Sequence, residues 1–284
     1  MLIIPGTLDL VLASPRPLLR DPGALSERWR QRRIAARLIS PEYIAYLLTN
    51  DRIAAAETAL ARTRAPENTD ARPACYPFTM LLWLSKFYPA LGSASLPEAL
   101  PWYWLALLPG LLAVAAFLAR RHDAFRRALF VGAAGFAGML LEGALLLSYQ
   151  ARRGALYQDL GLLLTCFMGG LSLGAWGMAR LGRKKGAGLA IALCTAVVGA
   201  GCGWAIGAGG VSGRLGTGLF LVAAGSCVGA AFAWAGERDQ AKPSGAVAAL
   251  YAADLAGGCL GALLGSLVFL PFAGLPASAG LASL

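Results

Sequence analysis

Two carboxylic acids, Glu142 and Asp254, lie inside long apolar runs of this 284-residue sequence. A charged side chain at the centre of a bilayer costs about 3 kcal/mol on membrane-insertion scales, so such acids mark either function or a tightly packed contact. Three interpretations remain open: a pair that handles protons or cations, a polyamine-binding site, and hydrogen bonding between helices. No basic partner and no pore lining accompany the two acids, so interhelical hydrogen bonding is the default.

Helical spacing places each acid on a seam of small residues. One stripe comprises Gly135, Gly138, Glu142, Leu145 and Tyr149, and the other comprises Asp254, Gly257, Gly261 and Gly265. Residues at these spacings share one face of a helix, and small residues mark the faces where membrane helices approach closely. Both acids are therefore predicted to face the interior of a helix bundle.

A further polar group surrounds the short turn that follows the Glu142 run. It consists of Gln150, Tyr157, Gln158 and Asp159. Polar residues at the end of a membrane helix line either a mouth of the bundle or an ordinary turn at the membrane surface, and the sequence leaves both open.

A second candidate loop, with Asn68, Asp70 and Arg72, lies between prolines in the first hundred residues. Asn and Asp side chains readily bond nearby backbone groups. A locally hydrogen-bonded turn is therefore the default for this loop, and a ligand-binding loop is the alternative.

The acids must be positioned by apolar runs long enough to span a bilayer, which requires roughly 20 residues in a helix. Six runs qualify: Trp102–Ala119, Ala128–Tyr149, Leu160–Ala179, Gly186–Gly210, Leu215–Gly236 and Ala246–Ala273. Their connections are short, so consecutive spans should be antiparallel. Glycines recur at four-residue spacing in the last four runs, which predicts a tightly packed bundle.

The first hundred residues are richer in charge and in turn signals. The pattern predicts strands at Leu2–Ile4 and Leu8–Ala13, a turn at Asp21-Pro22-Gly23, helices at Ser26–Ile39, Pro41–Leu48 and Arg52–Arg64, and an interfacial helix within Tyr76–Pro89. The sequence thus predicts a mainly α protein: a small α/β soluble remnant over residues 1–100, followed by a polytopic helical membrane bundle of about six spans over residues 101–284.

Composition argues against several functional classes. Charged residues make up 14% of the chain, whereas a soluble domain carries about 25%. The net charge is +10, but much of it flanks apolar runs and no nucleic-acid motif accompanies it, which favours a lipid bilayer over nucleic acid as partner. With one histidine and no CxxC pair among six cysteines, the sequence predicts no metal site.

Several passages resemble the multi-pass membrane proteins of the spermidine/spermine synthase-like (polyamine aminopropyltransferase-like) family. In the membrane part they are LEGALLLSYQ, GALYQDLG, TCFMGGLSLGAW and LYAADLAGGCLGALLGSLVFLPFAGLP, and in the front part IIPGTLDLVLAS, NTDARPACY and WLSKFYP. The resemblance implies that the chain is the C-terminal portion of a protein that joins a synthase-type domain to membrane helices.

The family's synthase core implies a Rossmann-like domain that binds decarboxylated S-adenosylmethionine through a glycine-rich loop. No such loop follows a strand in the first hundred residues. The sequence therefore predicts no catalytic residue and no cofactor in this chain, and aminopropyltransferase activity rests on resemblance alone. A separate partner carrying the nucleotide-binding half and a homo-oligomer are the two further partners considered.

Basic clusters predict the orientation of the bundle. Two basic clusters flank the runs: Arg120, Arg121, Arg126 and Arg127 follow the first run, and Arg180, Arg183, Lys184 and Lys185 follow the third. Loops rich in Lys and Arg stay on the cytoplasmic side. The expected location is the inner (plasma) membrane, with these loops inside the cell.

Overall fold

A computed structural model describes residues 1–6, 9–62, 67–69, 71, 75–90, 114, 122–154, 157–181, 186–210, 213–236 and 243–283. The chain divides into two compact units, Met1–Pro66 and Glu67–Leu284. The predicted boundary at residue 100 lies outside the described residues.

The first unit contains a small sheet and three helices. Strands β1, Leu2–Ile4, and β2, Leu10–Leu12, pair antiparallel. The helices are α1, Pro22–Gln31, α2, Pro41–Thr49, and α3, Asp51–Arg62. The two predicted strands and the predicted helices after Ser40 and Asn50 are confirmed within a few residues.

The predicted bounds of the first helix are wrong. Both carboxylate oxygens of Asp21 accept hydrogen bonds from the amides of Gly23 and Ala24, and Pro22 occupies the first turn. Asp and Pro at these positions are typical of a helix start as well as of a turn. The helix ends early because Arg33 has a left-handed backbone, with φ of 48°, which an α-helix cannot continue.

The second unit begins with α4, Cys75–Ser85, and contains the long helices. These are α5, Asp123–Arg153, α6, Tyr157–Leu181, α7, Ala187–Gly207, α8, Arg214–Gly236, and α9, Pro243–Leu264, which continues through a π-helical turn, Gly265–Phe269, into α10, Leu270–Ala273. In the described residues, five helices are long and apolar enough to cross a membrane. The chain is therefore mainly α and has the helices of a multi-pass membrane protein; the first predicted span, Trp102–Ala119, lies almost wholly outside the described residues.

Two pairs of long helices pack through glycine. In the pair of α6 and α8, a methyl group on Gly174 would collide with the Ser226 carbonyl and one on Gly229 with the Leu171 carbonyl. In the pair of α5 and α9, a methyl group on Gly257 would collide with the Gly132 carbonyl. Facing residues rise in number together along both pairs, so each pair is parallel, as expected when consecutive spans alternate in direction.

The chain turns back after α10. Gly274 has φ of 83°, a conformation that favours glycine, and α11, Leu275–Leu281, follows it. This short helix packs closely against α7: a methyl group added to Gly203 of α7 would lie only 2.8 Å from the Pro276 carbonyl oxygen. Leu275 and Ala279 are fully buried, so α11 belongs to the interior of the bundle.

Candidate functional site

Glu142 lies in α5 and is 4% exposed. Among the described residues, no hydrogen bond or salt bridge reaches its carboxylate. The face of α5 that carries Glu142 packs inside the bundle. A methyl group on Gly138, one turn before Glu142, would lie 2.5 Å from a side-chain carbon of Val228 on α8. The predicted inward orientation of Glu142 is therefore observed, without the hydrogen bonds that the default interpretation expects.

Asp254 lies in α9 and points toward α5. A methyl group on Gly135 would lie 2.7 Å from Asp254 Oδ1 and 2.7 Å from the Asp254 carbonyl oxygen, so the absence of a side chain at Gly135 makes room for this carboxylate. Asp254 Oδ1 is buried and has no hydrogen-bond partner. Gly135 of the first stripe therefore meets Asp254 of the second stripe, whereas Gly138 faces α8 and the other glycines of the second stripe face Gly132, Phe136 and Leu140.

The two acids do not form a pair. Asp254 lies at the level of Gly135, and Glu142 follows seven residues later on the same face of α5, which corresponds to about 10 Å along the helix axis. Tyr149 is a further seven residues along this face. Polar groups thus lie at three levels of α5, two turns apart: Asp254 contributed by α9, then Glu142 and Tyr149 of α5 itself.

At the level of Tyr149 the structure forms a partly buried ionic cluster. The Tyr149 hydroxyl donates a hydrogen bond of 2.5 Å to Asp159 Oδ2, and Arg214 Nε lies 3.0 Å from Asp159 Oδ1. Asp159 is in the first turn of α6, where the positive end of the helix dipole favours a carboxylate. Of the polar residues predicted at this turn, Asp159 is therefore the one in a defined site.

The other members of that group lie apart from the cluster. Gln150 is half-buried, Gln158 is exposed, and Tyr157 is 89% exposed. Arg214 was not singled out in the sequence. The sequence nevertheless contained a signal for the Arg214–Asp159 contact. Arg214 directly precedes an apolar span, and Asp159 directly precedes the span two before it. If consecutive spans alternate in direction, both residues lie at the same membrane surface.

Further polar atoms at this end of the bundle are buried without a partner. They are Ser148 Oγ, Thr217 Oγ1 and Arg152 Nε. The Arg152 side chain also donates a 2.9 Å hydrogen bond to the Ile206 carbonyl, near the C-terminus of α7. Buried polar atoms are normally paired with protein or water, so these atoms indicate a hydrated or ligand-accepting region.

The loop in the front part has a structural role at its one described position. Asn68 Oδ1 accepts a 3.0 Å hydrogen bond from the amide of Cys75, the first residue of α4. Asp70 and Arg72 lie outside the described residues.

Among the described residues, open apolar pockets lie between helices. One, of about 580 Å³, is bounded by α6, α7 and α8, and another, of about 300 Å³, by α5 and α9. Neither is lined by Glu142 or Asp254. In the described part of the chain, no group of three or more His, Cys, Asp and Glu residues is placed to hold a metal ion.

Comparison with known proteins adds no family: no family model, no curated protein and no solved structure matches the chain. The resemblance to the spermidine synthase-like family therefore stays a prediction. What the geometry offers chemically is three inward-facing carboxylates on three helices, Glu142 on α5, Asp254 on α9 and Asp159 on α6, of which Asp159 alone has a charged partner among the described residues.

Proposed function

We propose that the protein is a multi-pass membrane protein whose bundle binds and passes a cation at Glu142 and Asp254. The observation that carries this proposal is the Glu142 carboxylate, which is enclosed by the bundle and has neither a counter-ion nor a hydrogen-bond donor in the part of the chain that the structure describes. An acid kept in this position is costly. That cost is offset when the acid takes up a proton or a positively charged amine.

The family resemblance supplies the first amine to test. In the spermidine synthase-like family the chemistry concerns polyamines, so spermidine is the amine cation of choice and a proton is the alternative. Because the resemblance also implies that the nucleotide-binding half is elsewhere, the purified chain should release no methylthioadenosine when given the substrates of that family. The location proposed is the inner membrane, with the Arg180 end of α6 in the cytoplasm.

Reconstituted vesicles test the proposal. We expect Glu142→Gln and Asp254→Asn each to reduce cation flux at least tenfold while both proteins still insert and purify normally. Spermidine uptake and the response of a trapped pH-sensitive dye separate the amine from the proton. Asp123→Asn is the matched control, because Asp123 lies at the exposed start of the same helix and is paired with Arg126.

Two outcomes would sink the proposal. One is the absence of any flux of spermidine or protons above that of empty vesicles. The other is flux that survives both substitutions, in which case the buried acids are structural and the bundle serves as an assembly scaffold.

A further inference from the structure

The ionic cluster at Asp159 is asymmetric. The Asp159 side chain is 7% exposed, whereas that of its partner Arg214 is 60% exposed. The carboxylate is therefore fixed inside the bundle, and the guanidinium reaches it from the aqueous side. Water can solvate an exposed arginine that leaves such a contact, but the carboxylate it leaves behind cannot be solvated to the same extent, so the exchange has a low cost only when another cation takes the place of the arginine.

Arg214 also lies at an electrostatically unfavourable position in its own helix. It is the first residue of α8, where the helix dipole disfavours a cation. No acidic residue lies in the first turn of α8 to compensate. The electrostatic reason for a cation at this position is therefore Asp159, which is on another helix.

We propose that Tyr149 and Asp159 form a binding site for a small organic cation of the guanidinium or primary ammonium type. Arg214 fills this site from within the chain until a free cation displaces it. Tyr149 fixes one carboxylate oxygen through its hydroxyl hydrogen bond, and the other oxygen accepts the cation. The further role of this site as an entrance toward Glu142 rests on the proposed function; the binding itself does not.

Unused acceptors near the cluster agree with this assignment. Thr217 lies three residues after Arg214, on the next turn of α8, and Ser148 is adjacent to Tyr149. Both hydroxyls are fully buried and have no hydrogen-bond partner. A primary ammonium carries three N–H donors, more than the free Asp159 oxygen alone can satisfy, and these two hydroxyls are unpaired acceptors that lie close in sequence to Arg214 and Tyr149.

Chemical rescue tests the site on the purified full chain. Arg214→Ala empties it, and methylguanidinium or ethylammonium chloride is then titrated while thermal unfolding is followed. Because a ligand that binds the folded protein raises the melting temperature, we expect a saturable rise in the variant that exceeds the wild-type rise by about 3 °C. Sodium chloride at equal ionic strength should give no such difference.

Two variants serve as controls. In Arg214→Ala combined with Asp159→Asn, the excess rise should vanish, because the carboxylate charge is gone. Arg180→Ala should show no excess rise, because Arg180 is stacked on the Trp176 ring, 4.3 Å from its centroid, and does not fill a buried carboxylate site. If Arg214→Ala does not fold, Arg214→Gln is titrated in its place.

The proposal is overturned if the single variant responds like the wild type, or if the excess rise persists without the Asp159 charge. These results are independent of the flux measurements. If cations stabilise the Arg214→Ala variant but no flux is measured, the cation site stands and the transport proposal fails. If flux is measured but cations do not stabilise the variant, only the proposal of this site fails.

Discussion

The two parallel helix pairs are built in the same way but contain different chemistry. In the pair of α6 and α8, glycines at 170, 174, 225 and 229 meet the backbone of the opposite helix. In the pair of α5 and α9, glycines at 132, 257 and 261 do the same, but the Asp254 carboxylate is inserted at Gly135. Backbone approach is therefore equally close in a pair with a carboxylate among its glycine contacts and in one whose buried carboxylate, Asp159, lies at the helix end and is paired with Arg214.

The difference indicates that the acid is not required for close packing. Membrane helices pair through small residues because these permit extensive van der Waals contact between backbones. The glycine contacts of α6 and α8 achieve this with backbone alone, and the Asp159–Arg214 ion pair joins the same two helices only at their first residues. The carboxylate of Asp254 must then be explained by something other than helix association, which agrees with a role in binding.

The largest expected effect comes from closing the space at the glycine contacts. Gly174→Ala and Gly257→Ala should each lower the free energy of unfolding by about 3 kcal/mol, since the added methyl group meets backbone that cannot move without separating the helices. Unfolding in mixed micelles measures this. Gly177→Ala on α6 is the control, because a methyl group there meets nothing within 4 Å. If Gly257→Ala were far milder than Gly174→Ala, the two pairs would not be equivalent.

A smaller effect, of opposite sign, is expected at the enclosed acid. Glu142→Leu should raise the free energy of unfolding by about 2 kcal/mol, because it replaces an unpaired buried carboxyl group with an apolar side chain of similar length. The same unfolding assay measures the change, and Glu142→Gln should recover only part of it. A loss of stability as large as that of a core truncation would mean that the carboxylate holds the helices together, contrary to the comparison.

The smallest effect is expected where a glycine faces a flexible side chain. In Gly258→Ala the new methyl group would lie 3.3 Å from Met139 Cγ, and methionine adapts readily to its surroundings. The unfolding free energy should change by less than about 1 kcal/mol, since the better helix propensity of alanine compensates for the contact. A cost comparable to that of Gly257→Ala would show that the whole α9 face is rigid, not only its backbone contacts.

The positions of the long helices could be predicted from the sequence, because the length of an apolar run is enough to identify a membrane helix. The ends of the helices could not be predicted as well. The span predicted at Ala128–Tyr149, for example, is part of a helix that runs from Asp123 to Arg153. Hydropathy excludes charged residues, yet the helix continues through them because Arg126 pairs with Asp123 and Arg127 donates to the Ala235 carbonyl. Charged residues at a helix end are thus compatible with helix when they find partners at the membrane surface.

The candidate sites divide in the same way. Periodicity along one helix sufficed to place Glu142 and Asp254 on inner faces. The contact of Asp159 with Arg214 joins helices that are not consecutive, and no periodicity within one helix encodes it. Such contacts depend on which spans become neighbours, and this is set by packing of the whole bundle.

The parallel arrangement of α5 and α9 has a consequence for synthesis. The partner of the Gly132 and Gly135 face is made only after three intervening helices have been inserted. Until α9 arrives, this face of the nascent bundle is left to lipid or to a transient cover such as an insertion chaperone. Assembly of the acidic interface is therefore a late event, and a ribosome that stops before Asp254 would release a product with this closely packed surface uncovered.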